Sequence, residues 1–306
     1  MRLSKDITTD ELMQIDYHYN FSDEELTKDW GKLCNTVEFK TGAQFKPGMK
    51  LCQHFFPNFF SIKSADGKSF ESAWKDYDTM DKVREWGLTG MSQLWLSWIR
   101  RAVYMTAGLP NSSFYRPHFS RQVAMMTGKA SGHIFDPCAG WGGRMLGAIS
   151  FGWKYTACEP NKETYDNLMR LVDFLDAHDR VTIHNCPAEE YAHTKKYDVV
   201  ITSPPYYNLE VYEESTKQSY NKFPTYAEWR DSWLEPLIET CLTQLVGLSA
   251  WNVMNFKRND IVQDVISIHE KNGYELIDTI GFSSPLSNIR KLKNKDVTYI
   301  FKEKTL

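Results

Sequence analysis

The sequence lacks the features that define several large protein classes. Its six cysteines include no C-x-x-C pair, which argues against a zinc site and against a disulfide framework. No apolar run approaches the ~20 residues that span a membrane, and the N-terminus has no apolar segment of a signal peptide. The net charge of −3 provides no global basic field, so nucleic-acid binding would need a local patch. We therefore expect a cytoplasmic protein that binds no metal and no membrane.

The order of apolar runs predicts an α/β fold. Strand and helix patterns alternate from 133 to 273, and two further strands follow without a helix between them. This order predicts a three-layer sandwich around a mostly parallel, seven-stranded sheet with one antiparallel strand. Residues 1–113 lack that rhythm and read as a mainly helical accessory region for target recognition. The turn-rich segment 108–113 marks the boundary with a catalytic domain at 114–306.

A stiff turn, Ser203-Pro204-Pro205-Tyr206, follows the strand-like run 197–201. Two consecutive prolines cannot donate backbone hydrogen bonds, so the strand must end there. Open α/β sheets bind their ligands at the carboxyl ends of their strands. The hydroxyl, carbonyls and aromatic ring of this turn can hold a planar base and its exocyclic amine. An ordinary loop after a buried strand is the alternative.

A glycine-rich turn lies upstream, in the run Asp136-Pro137-Cys138-Ala139-Gly140-Trp141-Gly142. Glycines let the backbone pass close to a ligand, and the helix that follows presents free N–H groups. The third glycine of a dinucleotide fingerprint is absent, because position 145 is Met. An acidic residue, Glu159, ends the next strand, about 20 residues after the glycines, where it can accept hydrogen bonds from both hydroxyls of a ribose.

Together, the Asp-Pro-x-x-Gly-x-Gly and Ser-Pro-Pro-Tyr motifs resemble the amino-methyltransferases of DNA, over roughly residues 114–306. These enzymes use S-adenosylmethionine (SAM) to methylate N4 of cytosine or N6 of adenine, and relatives occur in phage and bacterial genomes, some in restriction–modification systems. The family pattern usually has Ser at the position of Trp141 and Thr after the last glycine, where this chain has Gly143-Arg144.

The resemblance implies SAM as the cofactor and duplex DNA, with the target base flipped out, as the partner of a monomer or homodimer. The implied cofactor contacts are Phe119, Asp136, Pro137, Ala139, Gly140, Gly142, Glu159, Pro160, Ala188, Glu189 and Ser203. The implied catalytic residues are Ser203, Pro204, Pro205 and Tyr206, and the candidate substrate contacts are Tyr207, Glu210, Tyr212, Arg290 and Lys291. Ordinary packing is the alternative for the tyrosines, and a solvated loop for the basic pair.

Several functions remain open at this stage. Ser203 favours cytosine N4 as the acceptor, while adenine N6, an RNA base and a protein amine remain alternatives. Cytosine C5 methylation needs a cysteine nucleophile, and the Pro137-Cys138 pair has that form but lies on the cofactor side. A catalytically silent SAM-binding module is the alternative from outside the enzyme class. The expected location is the cytoplasm of a bacterium or of a phage-infected host cell.

Overall fold

The computed structural model describes residues 1–37, 45–64, 66–90, 94–109, 113–212, 215, 217–281 and 297–305. Its helices, in chain order, are α1 (Thr9–Met13), α2 (Asp23–Cys34), α3 (Met49–Phe55), α4 (Phe70–Trp74), α5 (Tyr77–Gly90), α6 (Leu96–Thr106), α7 (Pro117–Met126), α8 (Gly143–Ser150), α9 (Lys162–Phe174), α10 (Ser219–Lys222), α11 (Tyr226–Trp229), α12 (Glu235–Thr243) and α13 (Ile261–Lys271). Its strands are β1 (Arg2–Leu3), β2 (Lys63–Ser64), β3 (Leu94–Trp95), β4 (His133–Asp136), β5 (Lys154–Cys158), β6 (Val181–His184), β7 (Tyr197–Thr202), β8 (Glu210–Val211), β9 (Leu245–Val253), β10 (Tyr274–Ile280) and β11 (Val297–Glu303). Among the residues so described, none of the helices is long and apolar enough to cross a membrane.

The chain divides into two compact units. The helical unit comprises Met1–Asn20, Pro57–Ser113 and Leu209–Glu213. The sheet unit comprises Phe21–Phe56, Phe114–Asn208 and Glu214–Leu306. One division falls at the predicted boundary after residue 113, but the segment 21–56 of the predicted N-terminal region belongs to the sheet unit.

Contacts within the sheet unit explain the place of segment 21–56. Arg121 of α7 donates hydrogen bonds of 2.8 Å to the carbonyls of Cys34 and Thr36. The ring of Phe55, at the end of α3, lies 5.3 Å from the ring of Phe174 in α9. The guanidinium and the aromatic pair thus fix α2 and α3 to the helices of the sheet.

The helical unit is built around aromatic side chains. The ring of Tyr17 lies 5.1 to 5.3 Å from the rings of Phe60, Phe70 and Trp74. Arg100 of α6 donates to the Tyr17 carbonyl at 2.6 Å, which joins the N-terminal segment to α6. The sequence from about 80 to 107 has a helical pattern that is interrupted near Gly87 and Gly90. In the structure it corresponds to α5, which ends at Gly90, and α6, which begins at Leu96.

The sheet of the second unit has the predicted seven strands, in the order β10-β11-β9-β7-β4-β5-β6. The neighbours from β9 to β6 are parallel, and β11 is antiparallel to both β9 and β10. This arrangement, with its reversed final hairpin, is that of the SAM-methyltransferase fold class, which confirms the predicted fold.

The central strands are buried on both faces. Four successive residues of β7, from 199 to 202, have no exposed surface. Because successive side chains of a strand point to opposite faces, both faces must be covered, as in a three-layer sandwich. Such strands give continuous apolar runs, and their clear signal explains why β4 and β7 are predictable.

Two predicted elements have different bounds in the structure. The apolar pattern at 250–256 predicts a fifth strand, and the structure has this strand as β9, which begins at Leu245 and ends at Val253. The spacing of Thr225 and Glu228 is that of a capping box and predicts the start of a helix; this box forms at the start of α11. The helix then passes through a π-helical turn, Arg230–Leu234, before α12, in which Pro236 occupies the first turn. Proline lacks a backbone N–H and is tolerated in the first turn of a helix. Pro236 therefore marks the start of α12, after the π-helical turn that follows α11.

Candidate functional site

The predicted motifs follow the carboxyl ends of adjacent parallel strands. Asp136 ends β4, Glu159 follows β5, and Ser203 follows β7. Parallel strands place these ends on the same edge of the sheet, which is where open α/β sheets bind ligands. The structure therefore brings the glycine turn, the acidic residue and the Ser-Pro-Pro-Tyr turn to one edge.

The glycine turn requires glycine at specific positions. Gly140 and Gly142 have φ values of +56° and +71°, in the left-handed region that disfavours other residues. A Cβ atom on Gly143 would lie 2.2 Å from the Tyr115 carbonyl oxygen, so the segment before α7 approaches α8 too closely for any side chain. The Ala139 amide donates to the Cys158 carbonyl at 2.9 Å and joins the turn to β5.

Asp136 holds this turn through a buried ion pair. Its Oδ2 accepts from Arg144 Nε at 2.6 Å and from the Tyr155 hydroxyl at 2.7 Å, and its Oδ1 accepts from the Cys138 amide at 3.0 Å. Arg144 also donates to the carbonyls of Cys138 and Ala139. Burial disfavours the charged guanidinium, but the charge of Asp136, its hydrogen bond and the nearby Tyr155 and Tyr115 together outweigh burial and raise the pKa of Arg144. The predicted contact of Asp136 with a cofactor stays a prediction.

Glu159 is a buried carboxylate that keeps acceptor capacity. Its Oε2 accepts from the Gly140 amide at 2.9 Å, and its Oε1 accepts from the Asn161 amide at 3.0 Å. Burial raises its pKa to about 7, against the opposing effect of these two N–H groups. Each carboxylate oxygen can accept about two hydrogen bonds, so each has room for one more donor, such as a hydroxyl of a vicinal diol.

The backbone beside Glu159 is fixed by a residue that the sequence analysis missed. Asn185 Nδ2 donates to the carbonyls of Glu159 and Pro160, at 2.8 and 3.3 Å. Asn185 follows β6 in the loop where the sequence analysis predicts cofactor contacts. An amide side chain after a strand has many possible partners, so no local sequence pattern indicates this role.

The remaining predicted cofactor contacts lie in three places: the loop after β6, helix α7 and the glycine turn. Ala188 is buried and begins a short 3₁₀ helix, whereas the Glu189 carboxylate accepts from Trp233 Nε1 at 3.1 Å and lies 3.4 Å from Lys222 Nζ. Phe119 is buried in α7. Pro137 and Ala139 are buried within the glycine turn. Four of these residues are therefore buried, and Glu189 is exposed but has partners; cofactor contact stays a prediction for each.

The Ser-Pro-Pro-Tyr turn is anchored through hydroxyl groups. The Ser203 Oγ lies 3.3 Å from the Tyr206 hydroxyl and 3.3 Å from Asn252 Oδ1. Tyr206 donates to Asn252, at 3.1 Å from its Oδ1 and 3.2 Å from its carbonyl oxygen. Pro204 is buried, and Pro205 is half-buried. The ring of Tyr206 thus has a fixed position next to Ser203.

Asn252 of β9 is the second residue that the sequence analysis missed. It is buried, and its Nδ2 donates to Thr298 Oγ1 at 3.3 Å. The Thr298 hydroxyl lies 3.1 Å from the hydroxyl of Tyr115, which precedes α7. A chain of hydrogen bonds therefore extends from Ser203 through β9 and β11 to Tyr115. A polar residue inside an apolar strand pattern is the signal that can reveal such a position.

The predicted substrate contacts do not form one group. Tyr207 is buried at φ +56°, its hydroxyl donates to the Pro224 carbonyl, and its ring lies 5.9 Å from that of Trp229. Glu210 and Tyr212 belong to the helical unit, where β8 pairs with β2 and the Tyr212 hydroxyl donates to the Glu210 carboxylate. Arg290 and Lys291 lie outside the described residues. Contact of any of these residues with a substrate stays a prediction.

The structure describes no cluster of three or more metal-ligating side chains within the parts of the chain that it covers. Cys138 lies in the glycine turn, where desolvation, and next the charge of Asp136, raise the pKa of its thiol. A thiolate is therefore disfavoured there, which argues against Cys138 as a nucleophile.

Comparison with known proteins finds distant structural neighbours. No protein-family model matches the chain, and no curated protein matches it. A putative RNA methyltransferase from Pyrococcus horikoshii is 16% identical over 62% of this chain and 84% of its own, with a TM-score of 0.41. A SAM-dependent O-methyltransferase from Thermotoga maritima is 16% identical over 65% of this chain and 70% of its own, with a TM-score of 0.42. A glycopeptide N-methyltransferase in complex with S-adenosylhomocysteine is 14% identical over 67% of this chain and 98% of its own, with a TM-score of 0.43. The strand order itself therefore establishes the fold class, and these likenesses assign no substrate to this chain.

Proposed function

We propose that this protein is a SAM-dependent methyltransferase that modifies an exocyclic amine of a DNA base, with N4 of cytosine as the first choice. The observation that carries the proposal is the meeting of two motifs at one edge of the sheet. Gly140 and Glu159 are joined by a hydrogen bond of 2.9 Å, and Ser203 and Tyr206 share Asn252 as their partner. The first pair suits a nucleoside cofactor and the second suits a planar base.

The residues of the first motif fit SAM. The spare acceptor capacity of Glu159 suits the two ribose hydroxyls, and Gly140 and Gly142 let the backbone approach the ligand without a side chain in the way. The buried ion pair between Asp136 and Arg144 keeps this turn in one conformation. When bound, SAM supplies an activated methyl group, so the protein has to position the acceptor.

The second motif would position that acceptor. An exocyclic amine is a weak nucleophile because its lone pair is conjugated with the ring. Ser203 Oγ and the Pro204 carbonyl oxygen accept hydrogen bonds from the amine and direct its lone pair toward the methyl group. Tyr206 stacks on the base, and its hydroxyl is fixed by Asn252. The rate enhancement then comes from positioning and electrostatics, and a duplex must release the base from its stack.

Adenine N6 and RNA bases are acceptors of the same chemical type, and Ser203 alone favours cytosine. The silent SAM-binding module is the remaining alternative. Its distinguishing property is SAM binding without methyl transfer to any nucleic acid.

Methyl transfer from labelled SAM to duplex DNA, single-stranded DNA and RNA tests the proposal, with mass spectrometry of the digested nucleosides. We expect N4-methylcytosine from DNA. N6-methyladenine would change the acceptor, and label in RNA alone would change the substrate but keep the chemistry. SAM binding with no label in any nucleic acid would refute the proposal.

A further inference from the structure

The helical unit presents a cluster of exposed aromatic side chains. Trp86 and Trp95 are 45% and 44% exposed, which is unusual for such large apolar groups. The indole of Trp98 is half-buried, and its ring centroid lies 5.4 Å from that of Trp86, with the rings edge to face. Met105, which is 58% exposed, extends the same side of α6. We call Trp86, Trp95, Trp98 and Met105 the tryptophan face.

Helix geometry explains why this face points outward. On α6, Ile99 and Val103 are buried, whereas Trp98 and Met105, seven residues apart, share another side of the helix. A Cβ atom on Gly87 would lie 2.9 Å from the Trp98 ring, so α5 and α6 approach closely because residue 87 is glycine. The packing of α5 against α6 thus sets the positions of the Trp86 and Trp98 indoles, while Trp95 lies on β3 directly before α6.

A cationic side chain accompanies each tryptophan. Arg2 is the cross-strand neighbour of Trp95 in the pairing of β1 with β3. On the helices, Lys82 lies four residues before Trp86, and Arg101 lies three residues after Trp98, spacings that place side chains on the same side of a helix.

None of these cations forms a direct ion pair in the described parts of the chain, although Lys82 is close enough to Asp76 for their charges to interact. Arg2, Lys82 and Arg101 are all exposed. The sequence from 86 to 135 contains no Asp or Glu at all, although the whole chain has 39 of them.

We propose that the tryptophan face binds a single-stranded segment of nucleic acid. Indole rings stack on bases of any sequence, and the adjacent cations contact the phosphates, which is the general mode of single-strand binding. The cores of protein–protein interfaces are depleted of charge, whereas here a cation accompanies each indole, so nucleic acid fits this face better than a second protein. The inference rests on the proposed function, because a methyltransferase of bases needs contacts with nucleic acid beyond the target base.

The test measures binding of a fluorescein-labelled 20-nucleotide single-stranded DNA to the full chain by anisotropy, at several salt concentrations. Loss of one stacked indole should weaken DNA binding by roughly 5- to 150-fold. The double variant Trp86→Ala/Trp95→Ala should therefore bind the oligonucleotide far more weakly than the parent chain. Arg101→Glu should also weaken binding and should reduce the salt dependence by the equivalent of about one phosphate contact. Thermal melting confirms that each variant is folded.

Two matched controls separate this face from general effects. Tyr77→Ala removes an aromatic ring that is 50% exposed on the opposite side of α5, and it should bind like the parent chain. Lys28 is an exposed residue of α2, and Lys28→Glu makes the same type of charge change as Arg101→Glu. It should weaken DNA binding less than Arg101→Glu does.

The inference is overturned if the parent chain binds no oligonucleotide, or if the folded double variant binds it as tightly as the parent. It is also overturned if the variants change only self-association in sedimentation, since the face would then be a contact between copies. SAM binding is measured separately on the same proteins. If the variants lose DNA binding but the parent chain does not bind SAM, the tryptophan face is supported and the proposed function is refuted. If the parent binds SAM but the folded variants bind DNA as tightly as the parent, the tryptophan face is refuted and the proposed function is not.

Discussion

Replacing Glu159, which follows β5, by Gln should lower the affinity for the ligand and change the stability of the fold much less. The carboxylate accepts from the amides of Gly140 and Asn161. Gln keeps one acceptor oxygen and replaces the other by a donor, which cannot accept from a ribose hydroxyl. Hydrogen bonds to a charged group contribute about 1.5–3 kcal/mol each, so we expect the affinity for S-adenosylhomocysteine to fall by about 10- to 100-fold.

The same substitution should change the pH dependence of stability. Burial raises the pKa of Glu159 from 4.5 to about 7. Between these two values the folded state holds a proton that the unfolded chain releases, so the contribution of this group to stability falls as the pH rises through that range. The full shift corresponds to roughly 3 kcal/mol at pH 8. Gln avoids that penalty but loses one strong acceptor, so stability at pH 8 should change little.

Ligand binding should have the opposite pH dependence. The ionised carboxylate is the better acceptor, so affinity should rise with pH up to about 7, and this rise should be absent in Glu159→Gln. Isothermal titration with S-adenosylhomocysteine from pH 5.5 to 8.5, together with thermal melting, measures both effects. Glu163→Gln, an exposed position in the first turn of α9, is the control. Equal affinity and equal pH profiles in the parent and in Glu159→Gln would refute the assigned role.

Three further substitutions test the rest of the site. Tyr206→Ala should lower the rate of methyl transfer by about 100-fold, through loss of stacking on the base, and leave SAM affinity nearly unchanged; an equal loss of both would contradict its role. Asn252→Ala removes the shared partner of Ser203 and Tyr206 and should lower kcat by about fivefold in steady-state assays, whereas an unchanged kcat would limit Asn252 to packing. Asp136→Asn leaves the buried Arg144 charge without its partner and should destabilise the fold by about 3–5 kcal/mol in urea denaturation; stability equal to that of the parent would show that the ion pair is not needed.

The sequence could predict the sheet because its strands carry local signals. Val199, Val200 and Ile201 form an apolar run shortly before Ser203, and the prolines mark its end, so the sequence predicts both the strand and the turn that follows it. The same logic placed Glu159, since an acidic residue directly after an apolar strand has few structural explanations. Parallel strands then bring these ends together without any further information.

The contacts that the sequence could not predict join residues far apart in the chain. Arg121 reaches the carbonyl of Cys34, which assigns the segment 21–56 to the sheet unit. Likewise, Glu210 pairs through β8 with Ser64 of β2, which assigns this part of the loop after the Ser-Pro-Pro-Tyr turn to the helical unit. A guanidinium that donates to backbone carbonyls, or a two-residue strand, leaves no pattern in the local sequence. Propensity and periodicity therefore cannot detect either contact.

Arg144 stabilises the glycine turn from within the fold. Its guanidinium donates to Asp136 and to the carbonyls of Cys138 and Ala139, so the turn is held by a buried charge. Asp136 Oδ2 then accepts from two side chains and Oδ1 from one amide, which leaves this carboxylate little capacity for a ligand. Glu159 accepts one hydrogen bond at each oxygen and keeps that capacity. Substitutions of these two carboxylates should therefore have different effects. Loss of the Asp136 carboxylate should lower the stability of the fold, whereas loss of the Glu159 carboxylate should lower the affinity for the ligand.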